Sequence, residues 1–162
     1  MNHSILTIKG KQLRTYPPEE GVAIIRTIAE HRWPMTINEA FALRDQFGWR
    51  PAPDDGTIFT TPVSNGEEDG YIGNDVTDTS LVSRINFNPN DRSIASEINF
   101  NLTTRLYSDA EPQVDRIIRS QYRAYVDALN SLYGQGITES SAVGALNVWN
   151  LRSRVSIVLG GT

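Results

Sequence analysis

Apolar residues along the chain recur with a period near 3.6 in three stretches and a period of two in several others, and these two rhythms predict most of its elements. In TYPPEEGVAIIRTIAEH, Val22, Ile25, Ile28 and Ala29 recur at helical spacing behind prolines and acids that suit a helix start, predicting a helix from about Pro18 to His31. Pro34 breaks it. In TINEAFALRDQFGW, Thr36 and Glu39 form the S/T-x-x-E capping box, Ile37, Ala40, Phe41 and Phe47 give an apolar face, and Gly48 supplies a left-handed C-terminal cap. RPAPDDG then reads as a turn-rich exit.

From Thr57 the period changes to two. TIFTTPV reads as a first strand, NGEEDG as the loop after it, and the residues around Tyr71 and Ile72 as a second strand. The letters INFN occur twice, at Ile85 to Asn88 and at Ile98 to Asn101. Leu81, Ile85 and Phe87 are odd; Ile94, Ile98, Phe100, Leu102 and Leu106 are even. Both sets face one core only if paired numbers sum to an odd total. A PNDR turn with Asn88 opposite Ser93 meets that condition and makes the two INFN stretches the arms of one hairpin, their asparagines on the wet face.

SDAEPQVDRIIRSQYRAYVDALNSLYG carries a second capping box, Ser108 and Glu111, then Pro112 in the first turn and Gly134 as the stop. Val114, Ile117, Ile118, Tyr122, Tyr125, Leu129, Leu132 and Tyr133 form one stripe, so this helix is expected to cover a sheet. GQGITESSAVG has the composition of a flexible linker. ALNVWNLRSRVSIVLGG then folds back as a hairpin, with Trp149, Leu151, Val155, Ile157 and Leu159 on one side of a turn at Arg152 to Arg154. Ahead of all this, SILTIK alternates weakly, as a short strand would. The order α-α-β-β-β-β-α-β-β predicts an α+β fold, an antiparallel β-sheet with helices packed on one face. Without βαβ alternation or a glycine-rich turn from strand to helix, Rossmann and P-loop folds are not expected. A length of 162 residues suits a single domain, 1–162, with 36–160 as its core; residues 1–34 become a peripheral extension if Met35 opens a shorter domain.

Charge changes the picture more than bulk composition does. Residues 1–50 hold seven basic and five acidic side chains, residues 51–80 none and seven, and residues 81–162 eight and seven, so the net −4 is concentrated in one window. A nucleic-acid binder would carry a basic stripe instead. No apolar run is long enough to cross a bilayer, and MNHSILTIKGK has no long apolar segment behind a basic start, so no membrane partner and no secretory signal are expected. With no cysteine, disulfides and thiolate zinc sites are excluded, and the cytoplasm is the expected compartment.

Candidate chemistry is thin. His3 and His31 lack any metal-ligand spacing, and no G-x-S-x-G turn accompanies them. Glu67, Glu68, Asp69, Asp75 and Asp78 have the charge to bind calcium but not the D-x-[DN]-x-[DN]-G loop, and a solvated loop is the plainer reading. Glu97 and Asp109 form a conceivable acid/base pair, although most such carboxylates are surface charges. Asn101-Leu102-Thr103 matches a glycosylation sequon on a strand of a chain with no export signal. Trp149 and the helix tyrosines read as core, while Trp33 and Trp49, flanking the capped helix, read as partly exposed. No enzyme and no cofactor are expected.

The FGW that ends the capped helix, TIFTTPV, the helix ending LNSLYG and the closing VWNLRSRVSIVLGG together resemble small actinobacterial immunity proteins related to the immunity factor for tuberculosis necrotizing toxin, over roughly residues 36–160. That resemblance implies an antitoxin that binds and blocks the active site of a cognate secreted toxin domain, an NAD+ glycohydrolase in that family, in a 1:1 complex. The anionic window is where contact is expected, through Glu67, Glu68, Asp69, Asp75 and Asp78 with Tyr71 as an anchor, since a concentrated negative patch steers a basic partner. The alternative is a non-enzymatic adaptor resembling secretion chaperones, which share the helix, sheet, helix, two-strand order and bind an extended protein segment. A third reading, a small enzyme using surface carboxylates, requires a deep pocket holding a carboxyl group of raised pKa.

Overall fold

The computed structural model describes residues 4–8, 11–74, 94–104, 112–141 and 144–160. These fold into β1 Ser4–Ile8, β2 Lys11–Thr15, α1 Pro18–Ala29, β3 Met35–Thr36, α2 Ile37–Gln46, β4 Arg50–Pro51, β5 Ile58–Thr60, β6 Gly70–Gly73, β7 Ile94–Ala95, β8 Glu97–Phe100, α3 Pro112–Tyr133, β9 Ile137–Ser141, β10 Gly144–Asn150 and β11 Ser156–Gly160. Every strand pairing among them is antiparallel, and the fold is α+β. The strands are shared among four sheets, β1-β2, β11-β10-β9, β3-β7 and β4-β5-β6-β8. The described residues group into two compact units, one within 31–104, the other of 4–30 together with 112–160.

In the unit built from both ends of the chain, α3 is held by its apolar stripe. Leu129 is fully buried, Tyr125 and Val114 nearly so, and Leu13 packs with Val114, Ile117 and Ile118. α1 lies against α3 at Gly21, where a Cβ would overlap the Tyr125 hydroxyl. That hydroxyl donates to the carbonyl of Tyr16 at 2.8 Å, and burial pushes its pKa far above the ordinary phenol range. Leu13, Tyr16, Val22, Ile24, Ile25 and Ile28 are all buried in this unit. Leu132, expected on the stripe, is 41% exposed; with Leu129 and Tyr133 pointing inward or sideways it falls at the solvent margin.

The closing hairpin keeps its predicted parity. Trp149, Ile157 and Leu159 point inward, and Arg154 takes the positive φ of the turn. Trp149 donates its indole N–H to Asn130 of α3 at 3.0 Å. Tyr122 of α3 bonds Asn147 at 2.6 Å, and Asn147 in turn donates to Thr138 at 3.2 Å, which satisfies a buried amide across two layers. Thr138 belongs to β9, so the ITESS stretch expected as a flexible linker is a strand. It pairs with β10 over its whole length, and its described side chains are exposed. An exposed edge strand carries no apolar alternation, which is why its composition reads as loop.

In the other unit the capping box forms as predicted: Glu39 N donates to Thr36 Oγ1 and Thr36 N to Glu39 Oε1, both at 3.1 Å. Gly48 has φ +74° beyond the last turn. α2 buries Ala40 and Leu43, and the chain leaving it stacks Trp49 on Phe59 at 4.6 Å and 6°, with Phe47 and Phe100 around the indole. Trp49 is 2% exposed, a correction to its expected partial exposure, because FGW enters the core of the four-stranded sheet. RPAPDDG is not wholly turn: Arg50 and Pro51 form β4 at the sheet's edge, where a proline's missing donor costs nothing. The even-numbered strand expected from Ile94 onward is broken at Ser96, whose N–H bonds Gly73 O; β7 pairs with β3, and β8 with β6. The first INFN, the Asn88–Ser93 pairing, and the Ser108 and Glu111 box lie outside the described residues.

Candidate surface for a protein partner

Phe59 sets the orientation of the four-stranded sheet. Stacked on Trp49 and fully buried, it fixes the inward parity of β5, so its neighbours Ile58 and Thr60 must point the other way. On β6 the same alternation sends Gly70 and Ile72 inward, and a Cβ at Gly70 would collide with the Phe59 ring. Tyr71 is consequently turned outward. Register places Ile58, Tyr71 and Asn99 side by side across β5, β6 and β8, with Gly73 beside Glu97 in the next outward row. Ile58 is 36% exposed and Tyr71 42%, so two large side chains stand in contact range on a solvent face.

Gly73 leaves room that the Glu97 side chain occupies: a Cβ there would lie 2.7 Å from Glu97 Cγ. Partial burial, and after it the Glu97 charge, raise the Tyr71 pKa above the ordinary phenol value.

The loop from Thr61 to Asp69 closes one end of this face and is tied down from within. Asp69 accepts from Thr61 N at 2.7 Å and from Thr61 Oγ1 at 2.6 Å, Ser64 Oγ bonds the Glu67 carbonyl, and Gly66 N donates to Ser64 Oγ at 3.0 Å. Val63 is fully buried, and its carbonyl accepts from Thr104 at 2.6 Å. Glu67 and Glu68 remain exposed and, with Arg50, Pro51, Pro53 and Thr60, line an open depression of about 700 Å³. At the opposite end, the β4–β5 turn exposes Asp54 and Asp55; Asp55 accepts from Thr57 N and Oγ1, which holds its pKa below the ordinary carboxylate value.

Of the residues expected at the contact, Glu67, Glu68 and Tyr71 are exposed in this unit. Asp69 is half-buried, and its two carboxylate oxygens accept from Thr61 N and Oγ1, which ties the loop. Asp75 and Asp78 lie outside the described residues, as does Asp109 of the acid/base reading. Glu97 stands exposed beside Tyr71. Among the described residues no three metal-ligating side chains come together. His31 Nε2 lies 3.3 Å from Glu39, at the start of α2. Sequence reasoning missed Ile58 as part of the surface; the signal was the alternation of TIFTTPV, once Phe59 is given to the core.

A family model described as a family of unknown function, DUF6301, matches residues 19–162. The chain belongs to this family. Its span takes in the Ile58–Tyr71 face, the Thr61–Asp69 loop and nearly all of α1. No curated protein matches the chain, and no solved structure does. Among the described residues, no helix of this DUF6301 member is long and apolar enough to cross a membrane.

Proposed function

We propose that this DUF6301 member is an immunity protein: in the cytoplasm of the producing cell it docks on a cognate secreted toxin domain and covers its active site, without catalysing a reaction of its own. One observation carries the reading. Ile58 and Tyr71 stand exposed in cross-strand register on the outer face of a sheet whose other face is filled by Trp49, Phe59 and Phe100. An aromatic anchor with an aliphatic neighbour on a rigid sheet is the kind of feature that concentrates binding energy in an interface. Glu67 and Glu68, exposed at the end of the same face, add the charge that speeds encounter with a basic partner. An NAD+ glycohydrolase is the toxin that the sequence resemblance suggests.

The test is co-expression with the C-terminal module of a secreted protein encoded in the neighbouring reading frame. Protection of the host cell and a 1:1 complex on size-exclusion chromatography are expected. Protection lost in Tyr71→Ala but kept in Tyr133→Phe would locate the contact on the sheet face; toxicity undiminished by the wild-type chain would end the proposal. The adaptor reading has its own support in β9, an exposed strand at a sheet edge that an extended segment can join by main-chain bonds. Its signature would be binding of unfolded segments that blocking β9 abolishes and Tyr71→Ala leaves alone.

A further inference from the structure

The outer face of the four-stranded sheet has a charge balance that selects its occupant. Among the described residues of β4, β5, β6 and β8 and of the turns joining β4 to β5 and β5 to β6, the exposed acids are Asp54, Asp55, Glu67, Glu68 and Glu97, and the exposed base is Arg50. The acids stand at both ends of the Ile58–Tyr71 pair, with Glu97 beside the tyrosine itself. A second copy of this chain docking by the same face would bring the same sign of charge against these positions, and like charges brought together at an interface favour a different partner.

The local geometry is more specific than net charge. Tyr71 and Gly73 share the outward face of β6, and the Glu97 side chain lies across Gly73, in the row next to Tyr71. An exposed aromatic face with a carboxylate at its edge can hold one cation from two sides, through the ring quadrupole and through a charge-assisted hydrogen bond. Ile58, in register with Tyr71, offers an apolar contact one strand away. We propose that this face receives a basic side chain of the partner, a Lys or Arg lying over the Tyr71 ring with its charge against Glu97, while the partner residue beside it packs on Ile58. The proposal rests on the docking reading above and adds the partner's chemistry: a short basic-apolar pair on a surface strand or loop.

The probe is a random peptide display library panned on the full chain. Enrichment of sequences with Lys or Arg next to an aliphatic residue is expected, and the enriched peptides should bind Glu97→Arg and Tyr71→Ala at least about tenfold more weakly than wild type, the first change being the larger at low salt. Should either variant fold poorly by circular dichroism, the wild-type chain gives a second readout: backbone amide shifts on titration with an enriched peptide should centre on Ile58, Tyr71, Gly73 and Glu97. Acidic or neutral winners, equal binding by both variants, shifts elsewhere, or no enrichment at all would each overturn the proposal. Protection of cells separates this from the reading beneath it. If Glu97→Arg loses the peptides while protecting as well as wild type, the basic-residue site is wrong and immunity stands; if wild type selects basic peptides but never protects, the site stands and immunity falls.

Discussion

Tyr125 and Tyr71 are both placed by the period of their elements, and they end in opposite states. On α3, the 3.6-residue rhythm turns Tyr125 into the unit formed by the chain's two ends, where it rests on Gly21 and donates a hydrogen bond to the Tyr16 carbonyl. On β6, the two-residue rhythm that buries Ile72 turns Tyr71 out to solvent beside Ile58 and Glu97. The phenol is the same chemical group in each. Where a carbonyl and a close-packed backbone already surround it, the tyrosine specifies the fold; where a carboxylate, an asparagine and an aliphatic neighbour stand beside it on a solvent face, it is left with a face to offer. Burying Tyr71 on a partner adds stability that the isolated chain does not have, whereas Tyr125 has already contributed its share to folding.

The comparison breaks if the two regions respond alike to substitution. The largest separation is expected for Leu129→Ala, which empties a fully buried site behind Tyr125 and should cost about 3 kcal/mol in chemical denaturation, against under about 0.5 for Ile58→Ala. Next comes Gly21→Ala, at about 2 kcal/mol, because the added methyl overlaps the Tyr125 hydroxyl. Tyr125→Phe alone should cost about 1.5 kcal/mol by removing the buried bond from the phenol hydroxyl to the Tyr16 carbonyl. Combined with Gly21→Ala it should cost less than the two together, since the hydroxyl is part of what the methyl meets. Strict additivity would mean that α1 and α3 accommodate the methyl in another way. Tyr71→Phe should leave stability unchanged.

Local signals made the helices readable. Thr36 and Glu39 lie three residues apart, and Gly48 and Gly134 each sit where a left-handed residue ends a helix, so the information lies within one turn of where it acts. The closing hairpin was legible for a similar reason, because Trp149, Ile157 and Leu159 repeat a short alternation. What could not be read depends on partners distant in sequence. β9 has no apolar rhythm because its described side chains face solvent and its existence is owed to β10. The strand from Ile94 divides at Ser96 because β7 and β8 answer to different partners, β3 and β6. Within the candidate surface, the acidity of Glu67 and Glu68 was visible as composition. That Asp69 would turn back onto Thr61, eight residues away, was not, nor was the meeting of Tyr71 with Glu97 across a sheet register.

The acidic loop itself gives a finer version of the same contrast. Asp69→Asn removes the charge that receives Thr61 N and Oγ1 and should cost about 1 kcal/mol, with faster proteolysis between Thr61 and Asp69 as a second readout. Glu67→Gln with Glu68→Gln should leave the denaturation midpoint where it is and slow association with a basic partner at low salt, the difference fading as salt is added. If the double substitution destabilised the chain as much as Asp69→Asn does, the division of this loop into an internal strut and an exposed rim would be wrong.

The smallest expected effect reads the Tyr71 site directly. The phenol is raised first by partial burial and then by the Glu97 carboxylate, both of which disfavour the phenolate. Since the folded value lies above the unfolded one, the phenol leaves stability untouched while both states are protonated, and stability falls as pH rises from the ordinary phenol pKa through the folded value. Glu97→Gln removes the second cause and keeps the first, so the Tyr71 titration, taken as the ultraviolet difference between each protein and its Tyr71→Phe counterpart, should move down toward the ordinary value without reaching it. Gly73→Ala should act in the same direction, because its methyl displaces the Glu97 side chain without touching its charge. Tyr125 should remain protonated throughout the same titration until the protein unfolds. A Tyr71 curve indifferent to both substitutions would show that Glu97 does not reach the phenol, and the two-sided cradle for a cation would lose one of its sides.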